Sequence, residues 1–237
     1  MRKWLVGLTA VAISLFISCD FVSESWGQGF ARDPGTIQVT AGNVEDLLRD
    51  ARGDSETSRA ILDKIAEKLK NNPNPDPTLQ KAAVIAANQA AGLGSVIMNN
   101  LDVLLDENIP SEETLKKLLE KIEADIKKND LPGISKSIVE SLPVGRDSDG
   151  MPVFTKKFES GDADLTILAI ALILAESENS GGFDNYIKSW SDGSKKIDGT
   201  VEGLSDSELV IAAAANEVMS NPDGELGKMI ESLLGSD

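Results

Sequence analysis

From Val44 onward, apolar residues recur every three or four positions, the spacing that gathers side chains on one face of an α-helix. "NVEDLLRDA" predicts a short helix with Asn43 as its cap, and Asp54 or Ser55 opens a second with Ile61, Leu62, Ile65 and Leu69 on one face. "NNPNPDP" ends that helix, because proline cannot continue one and restricts the residue before it. Asp76-Pro77 then reads as an N-cap followed by an N1 proline, opening "TLQKAAVIAANQAAG", which stops at Gly92. Three more helices are predicted: one through Val96, Ile97, Leu101, Leu104 and Leu105, one opened by Pro110-Ser111, and a shorter one holding Ile134, Ile138, Val139 and Leu142. The second of these is strongly amphipathic, with Leu115, Leu118, Leu119, Ile122 and Ile126 opposite Lys and Glu.

The rhythm breaks at "PVGRDSDGMPVFTKKFESGD", with its prolines, glycines and alternating charge. Three readings fit: a small hairpin, a link over 143–159 between two helical halves (43–142 and 160–237), or a functional loop. Helical patterning then resumes in "LTILAIALILA", in Phe183–Trp190, in "ELVIAAAANEVM", and in a closing segment with Leu226, Met229, Ile230, Leu233 and Leu234. The run Leu165–Ala175 is too short to span a bilayer, which takes about 20 apolar residues, and so predicts a buried central helix. The fold class expected is all-α, either a helical bundle or an α-solenoid-like array of helix hairpins. The array reading rests on a shared opening. Asp76-x-x-Leu79 leads to Ala83, Asp162-x-x-Leu165 to Ala169, and Asp206-x-x-Leu209 to Ala213. Each Asp would cap its helix, and units of about 44 residues lie in the range of stacked helical repeats.

Ahead of this body, residues 19–42 carry Gly, Ser and Pro without helical period and read as a tether. Trp26 and Phe30 flank "GQG" within it; these rings would either dock on the body or contact a partner. Residues 1–18 have the layout of an export signal: Arg2 and Lys3, then the uncharged "WLVGLTAVAISLF". The run ends in "FISC", where Cys19 is the sole cysteine of the chain. This end resembles the lipobox of bacterial lipoproteins, with Ser18 as the small residue before the cut. Phe16 and Ile17 are bulkier than the usual pattern, a relaxation more similar to spirochaetal boxes than to enteric ones. The resemblance implies a diacylglyceryl thioether on Cys19, cleavage before it and acylation of the new terminus. It covers about the first twenty residues and implies an address, the cell envelope, with the choice of membrane and face open. In enteric bacteria, an Asp placed like Asp20 retains such proteins at the inner membrane. Ordinary secretory cleavage is the competing reading, although no Ala-x-Ala follows and Ser23 and Ser25 are the nearest small pair.

Composition narrows the chemistry. Cleavage before Cys19 removes Arg2 and Lys3, leaving 21 basic residues against 39 acidic and a formal charge of −18. Such a surface repels nucleic acid and anionic headgroups, so neither is expected as a partner. The chain has no histidine, and an acylated Cys19 leaves no thiol. Ser-His-Asp and Cys-His systems, and zinc sites of the usual ligands, are therefore excluded. Aromatic residues at 4% argue against binding by stacking.

What remains is thin. Asp147, Asp149 and Gly150 in "RDSDGMP" resemble the front of a calcium loop, but position twelve counted from Asp147 is Phe158, with Glu159 one place late. A solvated turn is the simpler account, and no metal or cofactor is expected. Asp162 and Asp164 could pair as catalytic carboxylates, although helix capping explains them more simply. The Lys pairs 116–117, 127–128, 156–157 and 195–196 read as solvated faces, and "GLGS" at 92–95 as a helix–helix corner. The function expected is that of a lipid-anchored envelope protein. Its non-catalytic helical body would act through protein contacts, as a scaffold or accessory subunit. The alternative is a ligand-binding accessory lipoprotein of a transport system; a carboxylate-based hydrolase ranks third.

Overall fold

The computed structural model describes residues 37–93, 130–191, 194–195 and 203–220. Within them the order is α1 (Val44–Asp50), α2 (Ser55–Leu69), α3 (Pro77–Ala91), α4 (Leu131–Ser141), β1 (Val144–Arg146), β2 (Pro152–Phe154), α5 (Asp162–Asn179), α6 (Phe183–Ser191) and α7 (Asp206–Ser220). The class is all-α, and the two strands form one antiparallel hairpin. The helices expected around Val96–Leu105, after Pro110-Ser111 and over Leu226–Leu234 lie outside the described residues, as does everything before Ile37.

Local chemistry accounts for most helix ends. Asp54 caps α2 by accepting the Thr57 N–H at 3.0 Å. Asp76 caps α3 through the N–H groups of Thr78 (2.9 Å) and Leu79 (3.4 Å), with Pro77 supplying a pre-set φ where no donor is needed. Gly92 closes α3 in the left-handed conformation at φ 66°. Asp130 opens α4 by accepting the Gly133 N–H at 3.1 Å. Gly133 also leaves room for Arg59 of α2, since a β-carbon there would sit 2.7 Å from the guanidinium. Arg59 bridges Asp63 (3.0 Å) and Asp130 (3.4 Å), and Ser137 of α4 donates to Asp63 at 2.7 Å. These bonds join α2 to the start of α4.

Two cap assignments are corrected and one is qualified. Asn43 stands at the N-cap position of α1, but its side chain makes no capping bond. Its Oδ1 accepts the Thr40 N–H (2.8 Å) and its Nδ2 donates to the Gln38 carbonyl (2.9 Å), so it ties down the incoming chain instead. Gly161, not Asp162, is the cap of α5. At α7 the Ser205 hydroxyl accepts the Glu208 N–H (3.2 Å) while Glu208 reaches back to the Ser205 N–H (2.8 Å). That reciprocal pair is a capping box, with Asp206 as the first helical residue. Of the three Asp-x-x-Leu openings, only Asp76 caps its helix, so the shared opening is not a shared structural device.

The core is one apolar cluster drawing on every element but β1 and β2, against which Val144 and Phe154 pack from the side. Helix α5 lies at its centre. From Leu165 to Ser177, every residue except Ile167 is buried. Helices α3, α4, α6 and α7 pack on it, and α2 packs on α3 and α4. Helices from both sides of 143–159 therefore share one interior. Runs of alanine on α3 and α7 allow this close approach: Ala82, Ala83, Ala86 and Ala87 on one, Ala212, Ala213 and Ala214 on the other, all buried. No described helix is long and apolar enough to cross a membrane.

The segment 143–159 is the hairpin among its three readings. Val144 pairs with Phe154, Gly145 with Val153 and Arg146 with Pro152. Its face rests on α7, where Asn216 donates to the Pro152 carbonyl at 3.4 Å. The packed body also begins before the boundary drawn at residue 42, because Ile37 (7% exposed) and Val39 (1%) belong to the core. Two alternating apolar residues are too short a pattern to read as an element.

Candidate functional site

Polar residues collect inside the molecule where α5, α6 and the start of α7 meet. Glu176 on α5 is 7% exposed and Glu208 on α7 is 1% exposed. Ser207 donates its hydroxyl to Glu176. A serine has one hydroxyl proton, so across the 3.0 Å Ser205–Ser207 contact it is Ser205 that donates. The result is a directed chain from the Glu208 N–H through Ser205 and Ser207 to the Glu176 carboxylate. Each bond in such a chain polarises the next.

Lys195 supplies the positive charge. Its ammonium pairs with Glu208 and lies 5.1 Å from the centre of the Tyr186 ring. Its own N–H donates to the Ser189 carbonyl at 2.9 Å, which fastens it to the end of α6. The solvated-face reading of the 195–196 pair is thus corrected at Lys195, whose side chain is only 17% exposed. Gly203 has φ 78°, and a β-carbon there would lie 2.7 Å from the Ser194 carbonyl oxygen. Here the ammonium is engaged by a carboxylate and the Ser207 proton by Glu176. The arrangement holds charge in place and clamps three helices together.

A second polar contact joins α3 to the first turn of α5. Asn88, 8% exposed, donates through Nδ2 to the Asp164 carbonyl at 2.9 Å, and among the described residues its Oδ1 has no hydrogen-bond partner. Burial raises the Asp164 carboxyl above its ordinary range, with Lys81 and the Asn88 side chain opposing that rise. Asp162 stands in the same turn, its carbonyl accepting the Thr166 hydroxyl at 2.8 Å. Deeper in α3, Gln80 is fully buried, and neither of its amide atoms has a partner among the described residues.

The other residues singled out from the sequence are placed as follows. Asp147 closes the hairpin: its Oδ1 accepts the N–H groups of Asp149 and Met151, both at 2.9 Å, and Gly150 turns at φ 80°. Asp149 is exposed on the same turn. Among the described residues, no three His, Cys, Asp or Glu side chains gather where they could hold a metal ion. Lys156 is engaged by Asn74. Arg2, Lys3, Cys19, Trp26 and Phe30 lie outside the described residues, as do the Lys pairs 116–117 and 127–128. The sequence reading missed the pairing of Lys195 with Glu208 and the Asn88–Asp164 contact. Ser205-x-x-Glu208 ahead of "LVIAAAA" was a readable capping-box signal; nothing local marks Lys195. No family model, curated protein or solved structure matches the chain.

Proposed function

We propose that the protein is lipid-anchored at a bacterial cell envelope through Cys19, and that its helical body acts through protein contacts as a scaffold or accessory subunit. The observation that carries this reading is the N-terminal segment itself: Arg2 and Lys3, an uncharged apolar run, then "FISC" with the only cysteine. The body supports it in two ways. Residues 20–36 lie between Cys19 and Ile37, the first core residue among the described residues. That length spans about 60 Å when extended, enough to hold a folded domain clear of a bilayer. The polar groups of the α5–α7 junction are engaged with one another, which suits a rigid support for a contact surface.

Two or three acyl chains on one residue anchor a protein stably, whereas one chain at ~0.8 kcal/mol per methylene holds it only marginally. Cys19→Ala is therefore expected to move the protein from the membrane pellet to the soluble fraction after a carbonate wash, with loss of radiolabelled palmitate. Retention of the variant in the washed pellet would sink the anchoring. Gentle crosslinking of intact cells, followed by mass spectrometry, is expected to join the body to another envelope protein. A melting-temperature shift with a small metabolite and no crosslinked partner would favour the transport-accessory alternative.

A further inference from the structure

Helix α3 packs against α1, α2, α4 and α5, yet few strong contacts hold it there. Its buried side chains are Leu79, Val84, six alanines between 82 and 91, and the amides of Gln80 and Asn88. An alanine brings one methyl group to a contact, and apolar stabilisation scales with the area removed from water. Helix α5, by contrast, buries Leu165, Leu168, Ile170, Leu172, Ile173 and Leu174. The two amides work against α3. Gln80 is 0% exposed, and among the described residues neither its Nε2 nor its Oε1 has a hydrogen-bond partner. Asn88 Oδ1 is in the same condition, and outside α3 the only described side-chain atom to share it is Ser160 Oγ. Any motion that brings water to these three amide atoms recovers the cost of having stripped it from them.

We propose that α3 is a release element, which opens locally and hydrates Gln80 and Asn88 while α4–α7 and the hairpin stay assembled. The remaining contacts allow this. Helices α4, α6 and α7 each pack on α5, and α7 also packs on α4 and the hairpin, all without α3. The side-chain bonds that tie α3 to other helices are those of Asn88 to the Asp164 carbonyl (2.9 Å) and of Gln89 to the Ser58 hydroxyl (3.1 Å). Left-handed residues stand on both sides of the helix, Asn71 at φ 60° before it and Gly92 at φ 66° after it, so the chain already turns at each end. Local opening of this kind lies below complete unfolding in free energy. It is a property of the body alone and independent of the lipid anchor.

The test is native-state hydrogen exchange on the full-length protein, read by mass spectrometry over a series of low urea concentrations. Amides of α3 are expected to exchange faster than those of α5, with a weaker dependence on urea. Equal rates with equal urea dependence would mean that α3 opens only with the whole, and would overturn the proposal. Gln80→Met keeps the length of the side chain and removes the unpartnered amide, so exchange in α3 should slow by about 5- to 150-fold. Exchange in α3 that is unchanged or faster in this variant overturns the role given to Gln80. Val218→Ala works from the other side: Val218 is buried on α7, which packs on α5 rather than on α3. This variant should speed exchange in α5 and α7 and leave α3 as it was, whereas equal acceleration in α3 sinks the proposal. If Gln80→Met does not fold, the wild-type comparison and Val218→Ala still decide.

Discussion

Lys195 and Glu208 show how much one side chain can carry. Glu208 is buried, and its charge is balanced by the Lys195 ammonium. Replacing one member of a buried pair leaves the other charge uncompensated, which costs about 3–5 kcal/mol. Lys195→Met is accordingly expected to lower stability by that order in a urea denaturation at neutral pH. The double variant Lys195→Met, Glu208→Leu should recover most of the loss, and a double variant as unstable as the single one would show that the charge is not the cause. None of this was legible beforehand. A Lys-Lys pair among acids looks solvated, and only the fold reveals that Tyr186 and Glu208 close over the first of them. The capping box at Ser205 and Glu208 was different, because both partners lie within four residues and follow a local rule.

Helix ends were largely legible for that same reason. Asp76, Pro77 and Gly92 each act through their own conformational or hydrogen-bonding preference, and each did so where expected. Asn43 departs because Thr40 and Gln38 compete successfully for its amide. Asp54 offers a quantitative check at the start of α2. The Thr57 hydroxyl (2.6 Å) and then the Thr57 N–H hold its carboxyl below the ordinary range, against a smaller opposing effect of burial. A depressed value means that its contribution is present above the unfolded value of about 3.9 and is lost as pH falls through the folded one. Asp54→Ala should cost about 0.5–2 kcal/mol at neutral pH, and the gap between the two proteins should close in acid. A gap that persists at the lowest pH would assign the loss to something other than the carboxylate.

At the scale of the whole molecule, periodicity gave the fold class, since an apolar stripe every three to four residues has few other solutions. It could not say which stripes meet, because any two apolar faces are compatible until the connections bring particular ones together. The hairpin turn at Asp147–Gly150 is the place to test how those meetings add up. Helices before and after it share one core, with α4 against α5 and α7 and α3 against α5. Cleavage within the exposed turn should therefore leave fragments that co-elute on a sizing column and separate only in denaturant. Fragments that part under native conditions would mean that the two sides are held by the chain rather than by the interface.

Ile37 and Val39 give the mechanics of the molecule a direction. They sit in the core immediately after residues 20–36, with Asn43 clasping Gln38 and Thr40 just behind them. A pull along residues 20–36 would not reach α1 through a slack hinge. It would load these two buried side chains and the two Asn43 bonds first. If Cys19 is anchored as proposed, tension on the chain is borne by this short stretch before it reaches α1.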